Sequence, residues 1–220
     1  MAKIHVDFRF IDLEHELWSL GKFRELFEEQ LTFLKDQERV RLRARLSGTE
    51  SEMDDAERQF ASEQVELLVE EVLPRFFRGP YLIALWALFE SGMIELADYL
   101  AQRKQLPLKL RDVRGRDPVE QWNKYFTHVA SFPLGVAEST WENLDELRQV
   151  RHILAHANGR LDLAEESTRR KVERWCGETR GLRAHFNLLI VSAEYTRSAQ
   201  VLVTDTLSGL IGRVRTEISG

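Results

Sequence analysis

The sequence predicts an all-α fold, an up-and-down bundle of six or seven helices led by a long N-terminal helix. Three observations predict it. Apolar residues recur every three to four positions over long stretches, as in Leu17, Leu20, Phe23, Leu26, Phe27, Leu31 and Leu34. Cap residues, prolines and glycines fall where such stretches begin and end. No internal repeat and no strand-and-glycine phosphate loop competes with the helical pattern.

Taken in order, Ile4, Val6, Phe8 and Phe10 alternate with polar residues and predict a short strand or an extended arm. The spacing then predicts a long helix from Phe10 to about Arg45, with Gly21 as a weak point inside it and Ser47-Gly48-Thr49 as its break. The acidic stretch Glu50 to Glu57 suits a helix N-terminus, and a second helix continues through Phe60, Val65, Leu68 and Val72. Pro74 and Gly79-Pro80 predict an interruption. A third helix, Tyr81 to about Lys104, is apolar nearly all round in its first half, which predicts a place in the core. Leu106 to Asp117 reads as a loop. Asp117-Pro118 reads as N-cap and first residue of a fourth helix, to about Ala130, followed by a turn over 131–135. The fifth helix is expected from about Thr140 to Asn158, with Ser139 as N-cap, Glu142 completing a capping box and Gly159 just past the end. A charged helix over 164–176 follows, then punctuation at Gly177 and Gly181. A last helix is expected from about Ala184 to Glu217.

The composition narrows the function classes. A 220-residue chain with 43% hydrophobic residues can build a sizeable core. Its net charge of −5 means that any nucleic-acid contact must use a local basic patch. The single Cys176 excludes an intramolecular disulfide and suits a reducing compartment. No charged region followed by an apolar run opens the sequence, and the most apolar segment, Tyr81 to Phe89, is too short to span a membrane. The expected location is cytoplasmic, without a membrane partner.

The chemistry concentrates in Arg151-His152-Ile153-Leu154-Ala155-His156, late in the fifth helix. At about 100° per residue, Leu144, Leu147, Val150, Leu154 and Ala157 share one apolar face. Asp145, Gln149, His152 and His156 lie opposite. Arg151 falls on the flank of the apolar face, where a guanidinium must reach solvent or find a carboxylate. Glu90, on the third helix, is the candidate partner; the alternative is that it simply faces water. A histidine suits proton transfer and an arginine suits a phosphate. The bland alternative is a structural ion pair with solvated histidines. His152 and His156 also stand four residues apart, a metal-binding spacing, but no third ligand is evident and no cofactor is called for.

This pattern, Arg, a polar residue, three more residues and His within a long helix of an all-helical chain, resembles the signature of the HEPN superfamily. The resemblance covers roughly residues 63–220 of a single domain, leaving residues 1–62 as an N-terminal helical extension. It implies a metal-independent endoribonuclease, of the kind found among toxins and phage-defence effectors. His156 would be the catalytic histidine, Arg151 the phosphate stabiliser and His152 the polar helper. The site would be composite, formed where two copies meet in a homodimer, and the product end would be a 2′,3′-cyclic phosphate. Asn158 stands where HEPN toxins controlled by nucleotidyltransferase antitoxins carry a tyrosine, so the modification-site version of the family is not supported; Asn158 is kept as a supporting residue. An antitoxin or defence-system protein is a further expected partner. The alternative is a HEPN-like module that binds RNA or a nucleotide, or assembles a larger complex, without cleavage.

Arg103, Lys104, Lys109, Arg111, Arg114 and Arg116 form a basic stretch that is either an RNA-backbone contact or a solvated loop. The same choice holds for Arg39, Arg41, Arg43 and Arg45, whose alternative partners are the acids of Glu50 to Glu57.

Overall fold

The computed structural model describes residues 8–47, 53–178 and 181–219. Residues 1–7 lie outside the described residues, and with them most of the expected N-terminal strand or arm. Gly48 and Thr49 of the expected break, and the first acids of the 50–57 stretch, lie outside them as well. The described residues are mostly helical, with one small hairpin. The helices are α1 (Phe8–Ser47), α2 (Asp55–Leu67), α3 (Leu73–Lys104), α4 (Pro118–Lys124), α5 (Glu138–His156), α6 (Glu166–Glu178) and α7 (Ala193–Ser219). Strands β1 (Leu182–His185) and β2 (Leu188–Val191) precede α7.

The fold forms two compact units. One gathers Met1–Leu20, Ile83–Arg151 and Arg197–Gly220; the other gathers Gly21–Leu82 and His152–Thr196. Helices α1, α3, α5 and α7 therefore contribute a segment to each.

The first unit is built around the middle of α3. Leu85, Trp86, Phe89, Met93 and Leu96 are buried, as the apolar run predicts. Trp122 of α4 packs edge-on against Phe89, ring centroids 5.5 Å apart. Leu144, Leu147 and Val150 of α5 and Val203, Leu207 and Ile211 of α7 complete the core. Gly92 packs closely here: a Cβ would stand 3.0 Å from Leu207 and 3.1 Å from Leu13, so those side chains would have to shift. Asp117 caps α4, its side chain accepting from the Glu120 N–H at 2.9 Å, and Pro118 is the first helical residue, as expected.

The second unit buries Leu31, Val65, Val69, Leu82, Ile153, Leu154, Val172, Leu189 and Tyr195. Asp54 and Glu57 form a reciprocal capping box at the start of α2. Arg78 holds both Glu28 carboxylate oxygens at 2.8 Å and donates to the Val191 carbonyl at 3.2 Å, joining α3, α1 and β2. Arg39 and Arg43 find their carboxylates in Glu66, with Glu70 also on Arg39.

Four expectations are corrected. Pro74 and Gly79-Pro80 do not separate two helices. A π-helical turn, Leu68–Val72, carries α2 into α3 without a break, giving a continuous helix Asp55–Lys104. The turn is closed by the Leu73 N–H on the Leu68 carbonyl, directly before Pro74. Burial of Tyr81, Leu82, Leu85 and Trp86 beyond Pro80 outweighs the roughly 3 kcal/mol that an interior proline costs. This helix is long and apolar enough to cross a membrane by length and composition, and half of its most apolar window is buried within the fold, as in a core helix.

Second, α5 opens at Glu138, so Ser139 sits inside its first turn. Arg213 grips the Pro133 and Leu134 carbonyls and sets the chain so that the Ala137 carbonyl accepts from Trp141 at 3.1 Å. Third, Gly177 lies within α6 rather than after it. Fourth, the last helix does not start at Ala184. Residues 182–191 form an antiparallel hairpin with His185 opposite Leu188. Its two-residue turn, Phe186-Asn187, has both φ values positive, +43° and +62°. The Ser192 hydroxyl then accepts from the Tyr195 N–H at 3.1 Å and caps α7.

Candidate functional site

Helix α5 carries the Arg151–His156 motif, and its end is defined by backbone geometry. The Ile153 carbonyl accepts from the Ala157 N–H and from the Gly159 N–H six residues on, both at 3.0 Å. The left-handed residue that closes the helix is Asn158, φ +48°, one position before the expected Gly159, whose own φ is +73°. Besides the expected apolar face, Ile153 and Gln149 are buried, so Gln149 does not share the solvent-facing side with the histidines.

Arg151 belongs to the first unit. Its Nη2 donates to Glu90 Oε2 at 3.1 Å, with the two side chains 23% and 30% exposed. Its Nε is buried without a partner. The guanidinium on the helix flank has thus found the carboxylate that the sequence nominated, and one donor remains unused. Glu90 lines a groove of about 610 Å³ together with Asp98, Lys109, Arg111, Gln121 and Trp122.

The basic stretch divides. Lys109 and Arg111 line that groove, while Lys104 turns to the Ala130 carbonyl at 2.8 Å and Glu217 at 2.5 Å. Arg103 lies over the Tyr99 ring at 5.5 Å. Arg116 pairs with Glu120 at 3.2 Å, and Arg114 is exposed. The Arg116 backbone N–H, then the Lys124 and Arg116 side chains, hold the Glu120 carboxyl down at about 2.

His152 and His156 belong to the second unit, and both are exposed. Their rings stack at 4.6 Å between centroids with 49° between planes. Among the described residues, no group of three or more metal-ligating side chains forms. Asn158 is exposed, and its carbonyl accepts from Arg75 Nη2 at 3.0 Å. Arg75 was not singled out by any sequence pattern. It meets α5 across 83 residues of chain, and only the folded structure brings it there. Burial pushes its guanidinium below the ordinary value.

No protein-family model, no curated protein and no solved structure matches this chain. The HEPN resemblance stands on the Arg151–His156 motif and its helical setting.

Proposed function

We propose that this protein is a metal-independent endoribonuclease of HEPN type, acting in the cytoplasm as a homodimer with a composite site. The observation that carries the reading is the hydrogen bond from Arg151 to Glu90, a carboxylate that lines a groove bearing Lys109 and Arg111. Such a groove suits a polyanion backbone, and the planar fork of Arg151 suits the pentavalent phosphorus of RNA self-cleavage. The exposed imidazoles of His152 and His156 suit proton transfer. In this chemistry the 2′-oxygen attacks the adjacent phosphorus while a base takes its proton. The bond to the 5′-oxygen breaks, and an acid protonates that leaving oxygen. A 2′,3′-cyclic phosphate remains. His156 is assigned the main proton transfer, His152 assists it, and Arg151 balances the charge on phosphorus. A toxin or phage-defence role, with an antitoxin or defence-system partner, belongs to the same proposal.

A second reading keeps the architecture without the chemistry: a module that binds RNA or a nucleotide, or assembles a complex. The Arg151–Glu90 pair favours it, because a guanidinium already compensated by a carboxylate offers less charge to a phosphate. Cleavage of single-stranded RNA in EDTA separates the two. The enzyme leaves cyclic phosphate ends, and Arg151→Ala and His156→Ala each lower the rate by roughly 10²- to 10⁴-fold while melting like wild type. Binding without turnover supports the second reading, and the absence of both sinks the proposal.

A further inference from the structure

In the second unit the surroundings of Arg75 differ from those of Arg78 and Arg39. Desolvated guanidiniums in a protein normally find carboxylates. Arg78, its side chain 14% exposed, has Glu28, and Arg39, at 23%, has Glu66 and Glu70. Arg75 is half-buried as well, yet among the described residues no carboxylate pairs with it. Its hydrogen bond goes to the Asn158 carbonyl at 3.0 Å, which leaves most of its N–H donors unused. The guanidinium lies 5.3 Å from the ring of Phe76, which is 56% exposed. Its Nε stands 3.8 Å from the place of a Cβ on Gly159.

These contacts put a cation with no carboxylate partner among the described residues at the end of the helix that carries His152 and His156, two residues beyond His156 in sequence. We infer that Arg75 is a phosphate-binding residue for single-stranded RNA, with Phe76 beside it as an apolar platform for an unpaired base or ribose. The identity of the ligand rests on the ribonuclease reading; the vacancy in charge does not. An arginine fork takes two phosphate oxygens at once, and an exposed aromatic ring beside it suits unpaired rather than duplex nucleic acid. The competing role is that of a cap, a cation resting on the last carbonyls of α5. A cap needs the donor to Asn158 but not the anion.

The test is binding of a 2′-O-methylated single-stranded oligonucleotide, which keeps every phosphate and lacks the attacking hydroxyl. Affinity is read by fluorescence anisotropy across a salt series, beside cleavage of ordinary RNA. Arg75→Gln keeps a donor for Asn158 and removes the charge, and Arg75→Met keeps the stem alone. Affinity is expected to fall roughly tenfold in either variant. The slope of log affinity against log salt is expected to flatten by about 0.7, the value of one lost phosphate contact on a single strand. Melting of Arg75→Gln stays near wild type. RNA is also expected to protect Arg75 of the unaltered protein from an arginine-selective dicarbonyl reagent. That readout needs no variant to fold. Wild-type cleavage together with unchanged affinity and slope, or with an unprotected Arg75, overturns the inference and leaves the ribonuclease reading standing. Wild-type protein that neither binds nor cleaves RNA overturns both.

Discussion

Two arginines and one glutamate show how much a side chain's neighbours decide. Arg151 and Arg75 are both half-buried, but Glu90 compensates the first, while among the described residues the second meets a carbonyl and an aromatic ring in place of a carboxylate. Glu120 illustrates the same dependence through its titration. Hydrogen bonds from the Arg116 N–H and from the Lys124 and Arg116 side chains favour its ionised form and hold its carboxyl at about 2. A carboxyl whose pKa is depressed in the folded state adds stability at pH above its unfolded value, here the ordinary 4.5. That contribution is lost as pH falls from there toward about 2. Glu120→Gln is therefore expected to melt below wild type at neutral pH, with the difference closing as pH falls through this window. A gap that stays constant down to the acid end would show that Glu120 does not titrate this way. The Arg151–Glu90 partnership was legible in sequence, because a guanidinium on an apolar flank demands a carboxylate and α3 supplies one. Arg75 was not, because nothing near it in sequence marks the carbonyl it meets.

At the scale of elements, helices were legible and their joints were not. Periodicity places α1 and the body of α7 but not the start of α7, and Asp117-Pro118 places α4, because these signals are local. The π-helical turn before Pro74 has no comparable local mark: a proline reads as a break unless packing on both sides holds the helix together. The hairpin was hidden because Leu188, Val191 and Tyr195 are spaced as on a helix face. The overlooked signal was Ser192, a cap residue in the middle of the expected helix. The hairpin also carries a local conflict. Phe186 sits at φ +43° and is 82% exposed, in a turn position that favours asparagine or glycine. Phe186→Asn is expected to raise stability by about 0.5–1 kcal/mol, measured by urea unfolding. A loss of stability would mean that the ring makes contacts worth more than the strain.

For the whole molecule, the proposed function depends on assembly. The proposed site draws on Arg151 and His156, and the HEPN resemblance implies that two copies combine them. If each site takes its arginine from one copy and its histidine from the other, mixing Arg151→Ala with His156→Ala protein forms heterodimers that retain one intact site. RNA cleavage is then expected to recover to no more than about half of wild type, with neither variant active alone. Recovery that fails although size measurements show mixed dimers would assign both residues to a site within one copy.

The sequence by itself determined the helical class, most helix positions, the burial of the α3 apolar run and the motif that carries the functional proposal. All of these follow from local periodicity and capping, which act within a turn or two of chain. Only the tertiary structure decided that α2 and α3 join, that 182–191 pair as strands, that Lys109 and Arg111 share a groove with Glu90, and that Arg75 reaches the end of α5. These depend on residues far apart in the chain, where packing and desolvation override what each segment would do alone.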